Sequence, residues 1–131
     1  MLDHIGIPVS DYRRSLDFYT RSLAPLGIKL IMEVAPELTE DGKPAAGFGR
    51  DGKPFFWIGV DARTGPTHVA FVAENREIVR DFHSAALSAG GQDNGGPGLR
   101  PHYHPDYYGA FVRDPDGHNI EAVCHTPGND T

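Results

Sequence analysis

The sequence repeats its own pattern at an offset of 64 residues, and this internal duplication is the strongest constraint on its fold. The offset aligns His4 with His68 and Gly27 with Gly91, and no gap is needed over that span. Each half reads as a strand, a helix and three further strands. We therefore predict a single domain built from two paired β-α-β-β-β modules, the first over residues 1–63 and the second over residues 64–131.

The individual elements follow from the spacing of apolar residues and from turn-forming residues. In the first half we expect a helix and four strands, with the helix over 11–23 and the strands over 2–9, 28–34, 46–50 and 54–60. In the second half we expect a helix that begins after Asn75 and ends near Ala89, and strands over 67–72, 98–103, 107–113 and 119–123.

Each module alone would be a sheet with a helix on one face, so its other face must be covered. If the modules pair side by side, their sheets can curl into a partly closed barrel with the helices outside, which is an α+β fold. The larger apolar side chains of the two first strands face the helices, and these are Ile5, Ile7, Val69 and Phe71. Alternation then directs His4 and His68 into the concave interior.

Glu121 lies in the middle of an apolar strand that follows the tight turn Asp114-Pro115-Asp116-Gly117. A carboxylate in such a strand requires a positive partner. Two imidazoles, from His4 and His68, and this carboxylate form a facial set of ligands for a divalent metal, with Zn, Fe, Mn, Ni and Co all suitable. The prediction requires that the three groups lie close enough to share one ion.

These features resemble those of the vicinal oxygen chelate superfamily, which includes glyoxalases, bleomycin resistance proteins and extradiol dioxygenases. The resemblance covers nearly the whole chain and rests on four motifs, namely Leu2-Asp3-His4-Ile5-Gly6-Ile7-Pro8-Val9, Phe18-Tyr19, Thr67-His68-Val69-Ala70-Phe71 and Asp114-Pro115-Asp116-Gly117-His118-Asn119-Ile120-Glu121. It implies a homodimer and a metal held by His4, His68 and Glu121. The metal would act as a Lewis acid toward a substrate that chelates through adjacent oxygens.

One position departs from the pattern of the family's glyoxalase I enzymes, which use a fourth protein ligand on the last strand of the first module. With one more residue of shift, the repeat aligns Phe56 with Glu121, and Trp57 follows it. Neither side chain can bind a metal. Each could belong to the core or to the apolar wall of a pocket, and we take both as candidates for substrate binding, with the wall assigned to whichever of them faces inward. A set of three ligands resembles that of extradiol dioxygenases and fosfomycin-resistance thiol transferases.

The segment over 100–108 carries further candidates. Its cluster of rings consists of His102, Tyr103, His104, Tyr107 and Tyr108. Near an open metal position a member of this cluster, with His102, Tyr103 and Tyr108 as the named candidates, could act with Glu121 in catalysis, by moving a proton or by hydrogen bonding to a substrate oxygen. The alternative is a loop whose aromatic rings only cap the barrel. Arg100 could bind an anionic group of the substrate, or it could simply be solvated.

Composition excludes several classes of partner. The net charge is −6, and no basic run is present, which argues against nucleic acid and against anionic membrane surfaces. Cys124 is the only cysteine, so a reducing cytoplasm is the expected location.

The leading functional hypothesis is a divalent-metal-dependent enzyme that acts on a small oxygen-rich substrate, either as a glyoxalase-like lyase or isomerase or as an extradiol-type dioxygenase. The alternative is a non-catalytic protein that binds and sequesters a small molecule such as a drug.

Overall fold

The computed structural model describes residues 1–61, 65 and 67–128. The first half contains β1 (Ile5–Val9), α1 (Tyr12–Ser22), β2 (Lys29–Val34), β3 (Ala45–Arg50) and β4 (Lys53–Val60). The second half contains β5 (His68–Val72), α2 (Arg76–Ser88), β6 (Gln92–Asp93), β7 (Gly98–Leu99), β8 (Tyr108–Arg113) and β9 (Asn119–Cys124). No helix in this described part is long and apolar enough to cross a membrane.

The strands of each half form their own sheet, and the two sheets have matching topology. The first has the order β1-β4-β3-β2, and the second has the order β5-β9-β8-β6, with β7 also paired to β8. In both sheets the first strand runs parallel to the last, and the remaining pairs are antiparallel. The duplicated α+β architecture predicted from the sequence is therefore confirmed.

Both helices begin at a side-chain cap and bury one apolar face. Asp11 accepts a hydrogen bond from the backbone N–H of Arg14, and Asn75 accepts one from Ile78. The core between helices and sheets is built from the alternate strand residues expected to face the helices, together with large helix residues. Its most deeply buried members include Val9, Phe18, Tyr19, Phe48, Phe56, Ile58, Phe82 and Ile120.

Some finer expectations differ from the structure. Among the described residues, the two sheets are not hydrogen-bonded to each other, so the partly closed barrel is not confirmed. The short strand expected over 98–103 ends at Leu99, because a turn begins near Pro101. The expected boundary between the two modules, at residues 63 and 64, lies outside the described residues.

The hairpin between β8 and β9 joins the second sheet to the first half. The Asp114 carboxylate accepts a hydrogen bond from the Tyr19 hydroxyl at 2.5 Å, and the Asp116 carboxylate accepts one from the backbone N–H of Ser10 at 3.1 Å. Asp114 also accepts from the backbone N–H groups of Asp116 and His118, which stabilises the turn. These turn residues therefore fix one half of the chain to the other.

His118, at the end of this hairpin, is fully buried and bridges the two halves. Its Nε2 donates a hydrogen bond to the Pro8 carbonyl at 2.7 Å, because a carbonyl oxygen can only accept. Its Nδ1 accepts one from the backbone N–H of Thr67 at 3.1 Å. The ring therefore pairs with one partly buried donor and one partly buried acceptor, which sequence reasoning did not anticipate.

We predict that His118→Phe lowers the free energy of unfolding by about 2–4 kcal/mol, because the Thr67 N–H and the Pro8 carbonyl both lose their partner. Urea unfolding at neutral pH measures the change. The matched control is His102→Phe, at an exposed histidine, which is expected to change stability by less than about 0.5 kcal/mol. Equal effects of the two substitutions would contradict a bridging role for His118.

Candidate functional site

Glu121 occupies the middle of β9, and its side chain is only 2% exposed. Ala70 of β5 lies opposite it on one side, and Phe111 of β8 lies opposite it on the other. Gly109 provides the space for the carboxylate, since a Cβ at that position would lie 3.3 Å from Glu121 Oε2 and 3.2 Å from the ring of Tyr107. Local strand pairing therefore fixes where the carboxylate points.

Both carboxylate oxygens of Glu121 have a partner. His68 Nε2 lies 3.2 Å from Oε1, and the Tyr107 hydroxyl donates a short hydrogen bond to Oε2. The His68 side chain is 51% exposed, so it connects the buried carboxylate with the surface. These two groups offset part of the free-energy cost of burying the carboxylate.

The pKa of the Tyr107 phenol lies well above its ordinary value. Burial is the largest cause, and the hydrogen bond to Glu121 and the negative charge of Glu121 add to it. Tyr107 therefore keeps its proton at neutral pH and acts as a hydrogen-bond donor to the carboxylate.

An aromatic-walled cavity of about 420 Å³ opens over this carboxylate. Its six lining residues are His68, Tyr103, Tyr107, Phe111, Asn119 and Glu121. The His68 ring stacks on Phe111 with centroids 6.3 Å apart, and Tyr103 packs edge-on against Tyr107 at 5.1 Å. The site thus combines a buried anion, an imidazole and apolar ring faces.

His4 lies away from this group. Its Nδ1 donates to Asp3 Oδ2 at 2.7 Å, and the same oxygen accepts from Lys53 Nζ at 3.0 Å. His4 and His68 both line a second cavity of about 480 Å³, between β1 and β5, but Glu121 does not. Within the described residues, no three His, Cys, Asp or Glu side chains lie close enough together to hold one metal ion. One chain therefore brings together His68 and Glu121 and leaves His4 apart.

The strand register corrects the expected alignment of Phe56 with Glu121. Gly6 lies opposite Trp57 in the first sheet as Ala70 lies opposite Glu121 in the second, so Trp57 is the counterpart of Glu121. Phe56 is fully buried in the core, with its ring centroid 5.0 Å from that of Tyr19. The one-residue error reversed the two faces of the strand. Phe56 packs in the core and also lines the cavity of about 480 Å³ shared by His4 and His68.

Trp57 lies on the same side of the first sheet as His4. The two residues line a shallow cavity with Gly6, Lys53 and Pro54. The indole ring covers Gly47, where a Cβ would come within 2.8 Å of it. Trp57 thus lies in the wall of a pocket, but this pocket is on the first sheet and Glu121 does not line it.

Arg100 is partly buried and does not line the cavity over Glu121. Its guanidinium donates to the carbonyls of Gly98 at 2.7 Å, Gly96 at 2.9 Å and Gly109 at 3.3 Å. The same group lies 5.3 Å from the Phe111 ring centroid. Arg100 therefore stabilises the loop that precedes β8.

Of the three aromatic candidates in the loop, only Tyr103 lines the cavity over Glu121. Tyr108 lies on the opposite face of the sheet from Glu121, where its hydroxyl accepts a hydrogen bond from Arg80 at 3.2 Å, so the structure does not bring it to the cavity. His102 is exposed, and its ring packs at a tilt of 48° against that of Tyr103, with centroids 4.1 Å apart.

Sequence reasoning included Tyr107 in the aromatic cluster of this segment but did not select it among the catalytic candidates. Phe111 lies opposite Glu121, and strand alternation then places residues 109 and 107 on the same face as the carboxylate. The pairing of Phe111 with Glu121 across the hairpin was the signal that could have identified Tyr107 in place of Tyr108.

Comparison with known protein families gave one match that covers most of the chain. Residues 1–122 match the model of the Glyoxalase/Bleomycin resistance protein/Dioxygenase superfamily. No curated protein sequence matches at a significant level.

Solved structures with the same fold cover nearly the whole chain. A glyoxalase/bleomycin resistance protein from Albidiferax ferrireducens T118 is 29% identical, with a TM-score of 0.71, over 95% of this chain and 97% of that one. A glyoxylase/bleomycin resistance protein/dioxygenase domain from Frankia sp. EAN1pec has a TM-score of 0.70 at 18% identity, over 95% and 96% of the two chains. Glyoxalase I from Zea mays has a TM-score of 0.68 at 21% identity, and the match spans 93% of this chain but 43% of that enzyme.

We predict that Gly109→Ala lowers the free energy of unfolding by about 1–3 kcal/mol, because the added methyl group crowds both Tyr107 and Glu121. Denaturant unfolding measures the effect. Gly59→Ala is the matched control, since a Cβ there meets no atom within 4 Å, and we expect it to leave stability unchanged or raise it by at most about 1 kcal/mol. A Gly109→Ala protein as stable as this control would show that the carboxylate is not confined.

Proposed function

The chain belongs to the glyoxalase/bleomycin resistance protein/dioxygenase superfamily, and from this membership and the Glu121 site we propose that it is a divalent-metal-dependent enzyme acting on a small oxygen-rich substrate. The observation that carries the proposal is the buried Glu121 carboxylate, 2% exposed, with the His68 imidazole 3.2 Å away at the floor of an aromatic-walled cavity. A carboxylate oxygen and an imidazole nitrogen are donors that suit Zn, Fe, Mn, Ni or Co.

His4 is proposed as the third ligand, contributed by a second copy of the chain in a homodimer. The Asp3 carboxylate accepts a hydrogen bond from the Nδ1–H of His4, which leaves Nε2 available to bind a metal. The sheet face that carries Glu121 is also open, since Val72 on it is 72% exposed. A second copy that covers this face would bring His4 of the partner subunit to His68 and Glu121, and the site would then be incomplete in one chain.

A bound metal would supply Lewis-acid polarisation of adjacent substrate oxygens. The other contributions would come from residues of this chain. His68 and Glu121 would hold the ion, and the rings of Tyr103 and Phe111 would exclude water from a planar or apolar part of the substrate. Two chemistries fit this arrangement, namely dioxygenation with Fe or Mn and lyase or isomerase chemistry with Zn, Ni or Co. Metal analysis of the purified protein, followed by oxygen-uptake assays with catechols, separates them.

We predict that the wild-type protein binds one Co²⁺ per chain in a calorimetric titration, and that His68→Ala and Glu121→Gln each weaken binding by more than about 100-fold. This loss exceeds the tenfold to 100-fold that is typical when an outer partner of a ligand is removed. His102→Ala, at an exposed histidine, is the control and should bind like the wild type. If the wild-type protein binds no divalent metal, the metalloenzyme proposal fails.

The proposed sharing of the site between subunits makes a distinct prediction for mixed dimers. His4→Ala and Glu121→Gln proteins each lack every complete site, but a heterodimer of the two retains one. After subunit exchange of an equal mixture, we expect about one quarter of the sites to bind Co²⁺ with wild-type affinity. If mixing restores no binding although native mass spectrometry shows heterodimers, the site does not lie between subunits.

A second candidate is a non-catalytic protein that binds a small molecule. The observation that favours it is that the described residues of one chain bring no three metal-ligating side chains together, although an aromatic-walled cavity of about 420 Å³ is present. Such a protein would retain its ligand in the presence of a chelator. Binding that is lost when EDTA is added would exclude this function.

A further inference from the structure

Tyr107 lies at the end of a tightly folded segment, residues 100–107, that we call the aromatic strap. Its backbone N–H donates to the His104 carbonyl at 3.0 Å, and its carbonyl accepts from the backbone N–H of Arg100 at 2.7 Å. The Tyr107 ring packs between Tyr103 and His125, with centroids 5.1 Å from each. Both the backbone and the ring of Tyr107 are therefore fixed.

Arg100 anchors the other end of the strap to the sheet. Its guanidinium donates to the carbonyl of Gly109, the residue that lies between Tyr107 and Phe111 on the face of Glu121, and stacks over the Phe111 ring. A Cβ added at Gly109 would lie 3.3 Å from Glu121 Oε2, so little space remains beside the carboxylate. The strap and β8 thus form one rigid frame around Glu121.

We propose that the aromatic strap is a positioning device in which Tyr107 holds Oε2 of Glu121, so that the carboxylate presents Oε1 alone beside His68 Nε2. The proposal rests on the proposed function, since its purpose is to prepare Glu121 as a ligand that uses one oxygen. The geometry that carries it is the separate engagement of the two oxygens, Oε2 with the phenol and Oε1 with the imidazole.

The orientation matters because a carboxylate can bind a metal through one oxygen or through both. A hydrogen bond from a fixed donor takes one lone pair of Oε2 and restricts the rotation that would bring both oxygens toward the ion. Tyr107 is therefore a positioning residue, which acts through Glu121 and need not contact the substrate.

The test is a Co²⁺ titration of Tyr107→Phe, which keeps the ring and removes only the hydroxyl. We expect affinity to fall about 10–100-fold, as for other outer partners of metal ligands. We also expect the visible Co²⁺ spectrum to lose intensity, because a carboxylate that binds through both oxygens raises the coordination number. Tyr103→Phe is the matched control, since it alters a tyrosine of the same cavity that makes no hydrogen bond to Glu121, and it should leave both readouts unchanged.

The outcomes separate this proposal from the proposed function. The wild type could bind Co²⁺ while Tyr107→Phe binds it equally or more tightly, or shows the same visible spectrum. Either result would overturn the positioning role and leave the metalloenzyme proposal intact. Failure of the wild type to bind metal would overturn both.

A second variant, Arg100→Gln, loosens the strap without touching Glu121. We expect it to weaken Co²⁺ binding, as Tyr107→Phe does. Unchanged binding would overturn the role of the strap.

Discussion

The placement of the Glu121 carboxylate in the middle of a buried strand is the constraint on which the rest of the site depends. A carboxylate that is 2% exposed is stable only if its oxygens find donors. The Tyr107 phenol, from the segment before β8, donates to one oxygen, and the His68 imidazole, from the neighbouring strand, lies 3.2 Å from the other. The glycine at position 109 is a further consequence, because any side chain there would displace the carboxylate or the phenol.

The hairpin of β8 and β9, which contains Glu121, also holds the two halves of the chain together. The turn before β9 contacts Ser10 and Tyr19 of the first half through Asp116 and Asp114, and His118 completes the junction with Pro8. Glu121 follows His118 by three residues. The position of the candidate site relative to the first half is therefore set by the same short segment that closes the core, which couples the stability of the junction to the geometry of the site.

The sequence was informative where periodicity applies and misleading where it does not. Alternation in β5 and β9 predicted correctly that His68 and Glu121 share a face, because side chains alternate strictly along a strand. A repeat alignment can slip by one residue, and that slip aligned Phe56, which is fully buried in the core, with Glu121 in place of Trp57. The segment before β8 has no period, so the role of Arg100 and the choice between Tyr107 and Tyr108 required the pairing of β8 with β9.

The two halves share a scaffold and differ in what they place on it. At the position where the second sheet carries Glu121, the first sheet carries Trp57, an indole that covers Gly47. An indole cannot accept a hydrogen bond or bind a metal, so it requires no donors around it and can lie flat over a glycine. The duplication has therefore produced a carboxylate site on one sheet and an aromatic surface on the other. The chain therefore provides one candidate carboxylate site, on its second sheet, although the module occurs twice.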